Sequence, residues 1–336
     1  MQKVFFCPIL TLCVSIVFTT QVMSQTLVDS LRVYGKDNHV QGIAYDQAGQ
    51  CFYCSFTTAF YKVNTQGKII GEINQIHGHL GAMTYDASSH KVYASLECKD
   101  DEIGKGISKG MGKQAYKHDD SRFYIAEIDV EKMSLTTHEL SEVRNDYLAK
   151  NYGCSGIDGM TIAPAFGNAD DGQRYLYVAY GIYGDTTRTD NDYNILLCYA
   201  LDDLQTPLCK YFIHTGNTTY GVQNLAYDDY SKRTYMAVYP GAKKNYPNYK
   251  LFALDMRQAP YEGLLEGVPY HIDKVWQASV LNGWYFKWGS TGLCPLGNGY
   301  YYISENGKQG GKQYCDLKLY RASDDETASP FIPVHY

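Results

Sequence analysis

The sequence predicts an all-β fold, and within that class a β-propeller of five blades. Three observations carry this. A two-strand phrase recurs five times along the chain, tyrosine is the outstanding bias with 33 copies in 336 residues, and long Leu/Ala/Glu/Lys-rich helical stretches are missing. Tyrosine suits strands, where its ring packs and its hydroxyl reaches the wet edge. A phrase repeated at this spacing is the mark of a fold built from stacked or radially arranged units.

At the N-terminus, Lys3 precedes an apolar run from Val4 to Phe18 and then Val22-Met23-Ser24. This is the three-part form of a secretory signal peptide, and the run is shorter than the roughly 20 residues of a spanning helix. Residues 1–24 are therefore read as the signal, and 25–336 as a single propeller domain exported to the periplasm or beyond. Cys13 follows Leu12, and apolar residues continue after it, which argues against a lipoprotein anchor. The formal net charge is −6, and loss of Lys3 makes it more negative. With no basic block, nucleic acid and anionic membrane surfaces are excluded as partners, and no stable membrane insertion is expected. We expect a monomer.

The repeats read VQGIAYDQAGQCFYCSF from Val40, LGAMTYDASSHKVYASLE from Leu80, IDGMTIAPAFGNADDGQRYLYVAY from Ile157, VQNLAYDDYSKRTYMAVY from Val222 and STGLCPLGNGYYYISEN from Ser290. Each is a short apolar strand, a polar turn and an alternating aromatic strand. Third strands follow, such as those beginning at Phe60, Arg122, Asn194, Tyr249 and Lys318, and fourth strands such as Lys68 to Ile73 and Ser134 to Leu140. Four antiparallel strands per repeat make a propeller blade. Six blades would need one hidden in a divergent segment, and a β-sandwich is the alternative without a reason for the repeat. Thr26 to Tyr34 has nothing of its own to pair with, so this N-terminal strand is expected to close the ring beside Lys318 to Arg321, with Phe331 to His335 competing for the place. Closure removes exposed sheet edges.

Cys7 and Cys13 leave with the signal, and the remaining cysteines are bound for an oxidising compartment. Cys198 and Cys209 flank a turn and are candidates to pair across a hairpin. Cys98 and Cys154 are candidates to meet between adjacent repeats. Buried free thiols are the alternative.

In a propeller the loops leading into each repeat and those after each second strand share one face. Insertions after second strands gather there, at 97–121, 181–193, 239–248 and 305–314, with Lys99 to Gly112 read as a mobile, glycine-punctuated flap. Long loops over one end of a rigid scaffold point to function. Gln41, Asp158, Gln223 and Thr291 occupy the same place in four repeats, just before the innermost strand, with His79 and Asn224 one step away. His77 and His79 are two apart, so an extended backbone would project both to one side, where with Glu97 they form a metal site or supply a general base. Asp185, Asp190 and Asp192 are hard oxygen ligands of the kind calcium takes, and Arg188 suits an anionic substrate group. Tyr180, Tyr183, Tyr193, Tyr220, Tyr239, Tyr285 and Trp288 are candidates to stack on sugar rings.

The phrase VQGIAYD with FYKVNTQGKIIGEI resembles the blades of secreted propellers of the lactonase and arylesterase kind, and is similar to five-bladed glutamine cyclotransferases. The cyclotransferases' glutamate-bearing motif falls where this chain reads CSFTTAF, with no carboxylate, so no catalytic residue carries over. The lactonase resemblance implies an axial calcium, held here by Asp158, Asn224 and Glu97 or Glu305.

The expected function is an exported enzyme, a hydrolase or lyase acting on a carbohydrate or small ester at the loop-rich face. Asp158, His79, Glu97 and Glu305 are the catalytic candidates. Gln41, His77, Asp185, Arg188, Gln223, Asn224, Tyr183 and Trp288 are the ligand-binding candidates, and Asp158, Asn224, Asp190 and Asp192 the candidates for calcium. The alternative is a non-catalytic propeller that binds glycan or protein, in which ionisable groups on that face would stand apart.

Overall fold

A computed structural model describes residues 27–35, 38–181, 193–216, 218, 220–239, 251–265 and 275–334. Its strands form five sheets, each headed by one of the five sequence repeats. The first strands are Gly42–Asp46, His79–Asp86, Gly156–Ala163, Val222–Asp228 and Leu293–Pro295, heading blades one to five. First strands of neighbouring blades touch in succession, and that of blade five touches that of blade one, so the sheets form a closed five-bladed ring.

The inner strands are buried at successive positions, as in Gly42–Asp46 and Cys51–Ser55, so each sheet is covered on both faces, because each face meets another blade. Five buried clusters result, one between each neighbouring pair. Between blades one and two, for example, Ala44, Tyr53 and Phe60 meet Leu80, Met83, Val92 and Ala126. Burying one such side chain contributes about 1.5–3 kcal/mol.

Blades one, two and four have four strands each. Blade three has six, because Tyr261–Gly263 and Val275–Ala278 leave the chain of blade four and extend its edge, with Val275–Ala278 parallel to Cys209–His214. The chain then returns to blade four as Val280–Trp284.

Ring closure follows the expected route with a different register. Ser30–Tyr34 pairs antiparallel with Tyr314 to Lys318, while Phe331–Pro333 pairs with Tyr320 to Ala322. The two segments lie end to end on one strand and do not compete. Arg32 fixes the N-terminal strand, its Nε and Nη2 each 2.6 Å from the Asp316 carboxylate and its guanidinium 3.9 Å from the Tyr314 ring centroid. Across the closing interface Tyr302 of blade five lies 4.7 Å from Phe52 and 5.1 Å from Tyr45 between centroids.

Two helices depart from the sequence expectation. The segment read as a mobile flap contains helix α1, Glu102–Gly110, capped by the Asp101 carboxylate, which accepts from the Gly104 N–H at 2.7 Å. Three glycines hid it from a propensity reading, although Ile103 and Ile107 stand at helical spacing. Helix α2, Ser141–Ala149, follows the fourth strand of blade two. It is held to blade three by the Asp146 carboxylate, which accepts from Lys210 and from Tyr180. No helix among the described residues is long and apolar enough to cross a membrane.

The eight cysteines of the described chain are free thiols. Cys198 and Cys209 do face each other across the hairpin, as expected, but form no disulfide. Cys98 and Cys154 do not join, because their sulfurs turn to different backbone carbonyls, His77 and Val143.

Candidate functional site

At the inner mouth of the ring the first strand of a blade begins opposite the end of its second strand. His79 and Glu97 are such partners in blade two. A register shift interrupts the pairing just after this point in blades two, three and four, between Leu80 and Met83, Ile157 and Met160, and Val222 and Asn224. Such bulges re-aim side chains at strand ends. Here they sit at the positions that carry Asp158 and Gln223.

The result is a buried polar cluster joining three blades. His79, Glu97 and Asp158 are all buried and offer ligand atoms within 4.8 Å of one another. The Glu97 Oε1 accepts from the Ile157 N–H at 2.7 Å, and its Oε2 lies 2.8 Å from the Lys99 Nζ and 3.7 Å from the His79 Nδ1. Lys99 also donates to the Ser155 carbonyl at 2.7 Å, and Gln223 donates to the Asp158 Oδ2 at 2.9 Å. Gly156 makes room for this arrangement. Its φ is +135°, and a Cβ there would stand 1.8 Å from the Glu97 Oε1.

Burial alone would push the Glu97 carboxyl up, but the Lys99 ammonium and the His79 ring overcome it and hold it below the usual carboxylate range. Burial likewise opposes the charge on Lys99, and Glu97, Asp101 and Asp158 more than restore it, raising that group above its ordinary value. The two charges therefore hold each other ionised.

Beside the cluster on the ring axis is a cavity of about 400 Å³, which His79 and Gln223 line. Gln41, Trp288, Thr291 and Asn306 complete much of its wall. His39 and Tyr239 face it from opposite blades, with the His39 Nε2 3.4 Å from the Tyr239 hydroxyl and 2.9 Å from the Gln41 Nε2. Burial first, and then His79, lowers the His39 pKa. Burial and Asp158 raise that of Tyr239. The His79 Nε2 and both side-chain atoms of Asn224 are among the buried polar atoms without a hydrogen-bond partner among the described residues.

Several candidates fall elsewhere. His77 does not join His79. Its Nδ1 is 2.9 Å from the Tyr116 hydroxyl, its Nε2 3.3 Å from the Ser108 Oγ, and its ring stacks on Tyr116 at 4.9 Å. Burial lowers its pKa, aided by Lys113. Glu305 is part of a strand, because the segment expected as a loop continues as the hairpin Tyr300–Gln309 and Lys312–Ala322. Its two oxygens accept from Lys318 at 2.7 Å and Tyr320 at 2.6 Å, and the neighbouring Asn306 turns to the axial cavity. Tyr183, Asp185, Arg188, Asp190 and Asp192 lie outside the described residues.

Among the described residues the cluster does not fit the axial calcium that the sequence resemblance implies. Calcium takes six to eight oxygen ligands. Both Glu97 oxygens already meet cationic or N–H donors, one member of the set is an imidazole, and the Lys99 ammonium occupies the position of a counter-ion.

Tyr239, a stacking candidate from sequence, does face the cavity, whereas Lys99, His39, Asn306 and Gly156 were missed by the sequence reading. Lys99 had a signal: it stands two residues beyond Glu97, so an extended backbone sends both side chains the same way. The others are assembled by the ring.

No protein-family model matches the chain, and no curated protein matches it. Among solved structures it is similar to the PQQ-bound aldose sugar dehydrogenase from Streptomyces coelicolor, at 14% identity and a TM-score of 0.40, over 87% of this chain and 99% of that one.

Proposed function

We propose that the chain is an exported propeller enzyme, a hydrolase or lyase acting on a carbohydrate or small ester in the axial cavity, with His79 as its acid–base residue. One observation carries the reading. The His79 ring sits between the ionised Glu97 carboxylate at Nδ1 and the axial cavity, and its buried Nε2 has no partner among the described residues. A carboxylate at one ring nitrogen orients the imidazole and stabilises it when protonated, leaving the other nitrogen to take or give a proton. Glu97 is itself positioned by Lys99 and the Ile157 amide. His79 then removes a proton from water or from a substrate carbon and returns it to the leaving group. Gln41, Gln223 and Asn306 supply hydrogen bonds to ligand hydroxyls, and Trp288 an apolar face.

A non-catalytic glycan-binding propeller is the second reading, favoured by Trp288 at the cavity, one face of which is covered by the Lys287 ammonium 4.4 Å from the ring centroid. Close ionisable groups support the enzyme over it. The test is turnover of a panel of aryl esters, nitrophenyl glycosides and uronate-containing polysaccharides by the mature chain and His79→Gln. We expect turnover that the substitution lowers by about 10²–10⁴-fold, the usual contribution of a general acid or base. Saccharide binding with no turnover of any substrate would decide for the binding protein.

A further inference from the structure

The largest cavity among those described is not the axial one. It is a chamber of about 770 Å³ between blade one and helix α1, and both cavities fall within the roughly 300–1,000 Å³ of small-molecule sites. Ile103, on the first turn of α1, lines both of them. The two spaces therefore abut under one helix.

The glycines of α1 distinguish a packing requirement from an open site. Glycine is the least favourable residue in a helix interior apart from proline, so its presence needs a reason. Gly104 has one, since a Cβ there would run into the Lys99 carbonyl. Gly106 and Gly110 have none of this kind. Both line the chamber and are exposed, Gly106 within the helix and Gly110 at its last position, and a Cβ on either would meet nothing within 4 Å. Their missing side chains leave the chamber unfilled and its helical wall bare backbone. That wall admits the close approach of a bound molecule.

The chemistry of the chamber narrows the occupant. Asn38, Thr58, Asn74 and Gln75 line it with amides and a hydroxyl, groups that donate and accept hydrogen bonds as vicinal sugar hydroxyls do. Its charged residues are one acid, Glu102 at the first position of α1, and one base, Lys113, three residues beyond its end, which balance each other. Nothing there selects a charged ligand.

We propose that this chamber is a second subsite for a neutral oligosaccharide, whose chain passes over Ile103 so that one sugar unit occupies the axial cavity and the next lies against Gly106. The proposal rests on the axial reading above and adds to it the length and charge of the ligand. Affinity then rises with the number of sugar units, and the gain belongs to the chamber.

The experiment is calorimetric titration of the mature chain with a panel of neutral monosaccharides and their di- and trisaccharides, repeated on Gly106→Trp, Gly110→Trp and Gly106→Ala. The tryptophans fill the chamber from positions with open space, and alanine favours the helix without filling it. We expect a trisaccharide to bind at least about tenfold more tightly than its monosaccharide, a tryptophan at either position to remove that gain while monosaccharide affinity stays, and alanine to keep it. Two tryptophan positions keep the test open if one variant fails to fold. Equal affinity for all lengths, or a length gain that survives both tryptophans, overturns the chamber and leaves the axial site standing. Binding of no saccharide in the panel overturns the chamber and, with it, the axial cavity as a neutral-sugar site, while ester turnover still decides the axial enzyme.

Discussion

Replacing Lys99 by Met tests the charge balance on which the axial site depends. In the native chain the Lys99 and Glu97 side chains are 5% and 1% exposed, with 2.8 Å between Nζ and Oε2. Methionine keeps much of the length and apolar volume and removes the charge. Glu97 then retains the Ile157 N–H and the more distant His79 ring, and the Ser155 carbonyl loses its donor. Removing one partner of a buried ion pair costs about 3–5 kcal/mol. At about 2 °C per kcal/mol for a chain of this size, Tm falls by about 6–10 °C.

The pH dependence carries the sharper information. The native Glu97 carboxyl is held below its unfolded value, so its contribution is present above that value and is lost as pH falls through the lowered one. In Lys99→Met, burial dominates and pushes the same carboxyl up, so ionised Glu97 is destabilising at neutral pH and is relieved by protonation in acid. The difference in Tm between the two proteins should therefore be largest near about pH 7.5 and shrink toward about pH 4.5. The assay is thermal melting of both proteins at the two pH values by circular dichroism. An equal difference at both would mean that lost packing, and not charge, explains the effect. A difference below about 1 kcal/mol at neutral pH would refute the buried pair as described.

Lys99→Ala opens space beside His79, Glu97 and Asp158, and its Tm should rise on addition of zinc, whereas the native protein, which already carries its own cation there, should not respond. Gly156→Ala should lose at least the about 1–3 kcal/mol of a strained backbone, because a Cβ at φ +135° also collides with Glu97, and denaturant unfolding measures the loss. Glu305→Gln should lower stability by no more than about 1–2 kcal/mol and leave ligand affinity unchanged, since its partners are Lys318 and Tyr320; a large loss of affinity would return it to the site. Burial pushes the Cys198 and Cys315 thiols up to about 12, so thiol reagents should label the native chain slowly at these positions and fully only after unfolding.

Blade number and ring closure were legible in the chain because their cause is local. Alternation with period two, turn residues at each break and a repeated phrase specify strands and their pairing with the next strand along. The same repeat placed Gln41, Gln223 and Thr291 at one rim, and the structure puts all three around one cavity. His79 and Glu97 could be paired from sequence for the same reason, as the start and end of one hairpin. What the ring alone decided is which blades' side chains meet. Lys99 reaches the carbonyl of Ser155 in the next blade, Asp158 accepts from Gln223 in the one after, and His39 meets Tyr239 from the other side of the axis. The expected projection of His77 beside His79 failed because His77 and Gly78 form a bend before the strand begins at His79, so the period of two does not reach back to it. That of Glu305 into the cavity failed because its segment continues as a strand, where register turns it to Lys318 and Tyr320 and its neighbour Asn306 to the cavity. The helix over the second chamber was hidden for a related reason. Its glycines read as a loop until tertiary packing supplied the apolar surface beneath Ile107 that holds a weak helix in place.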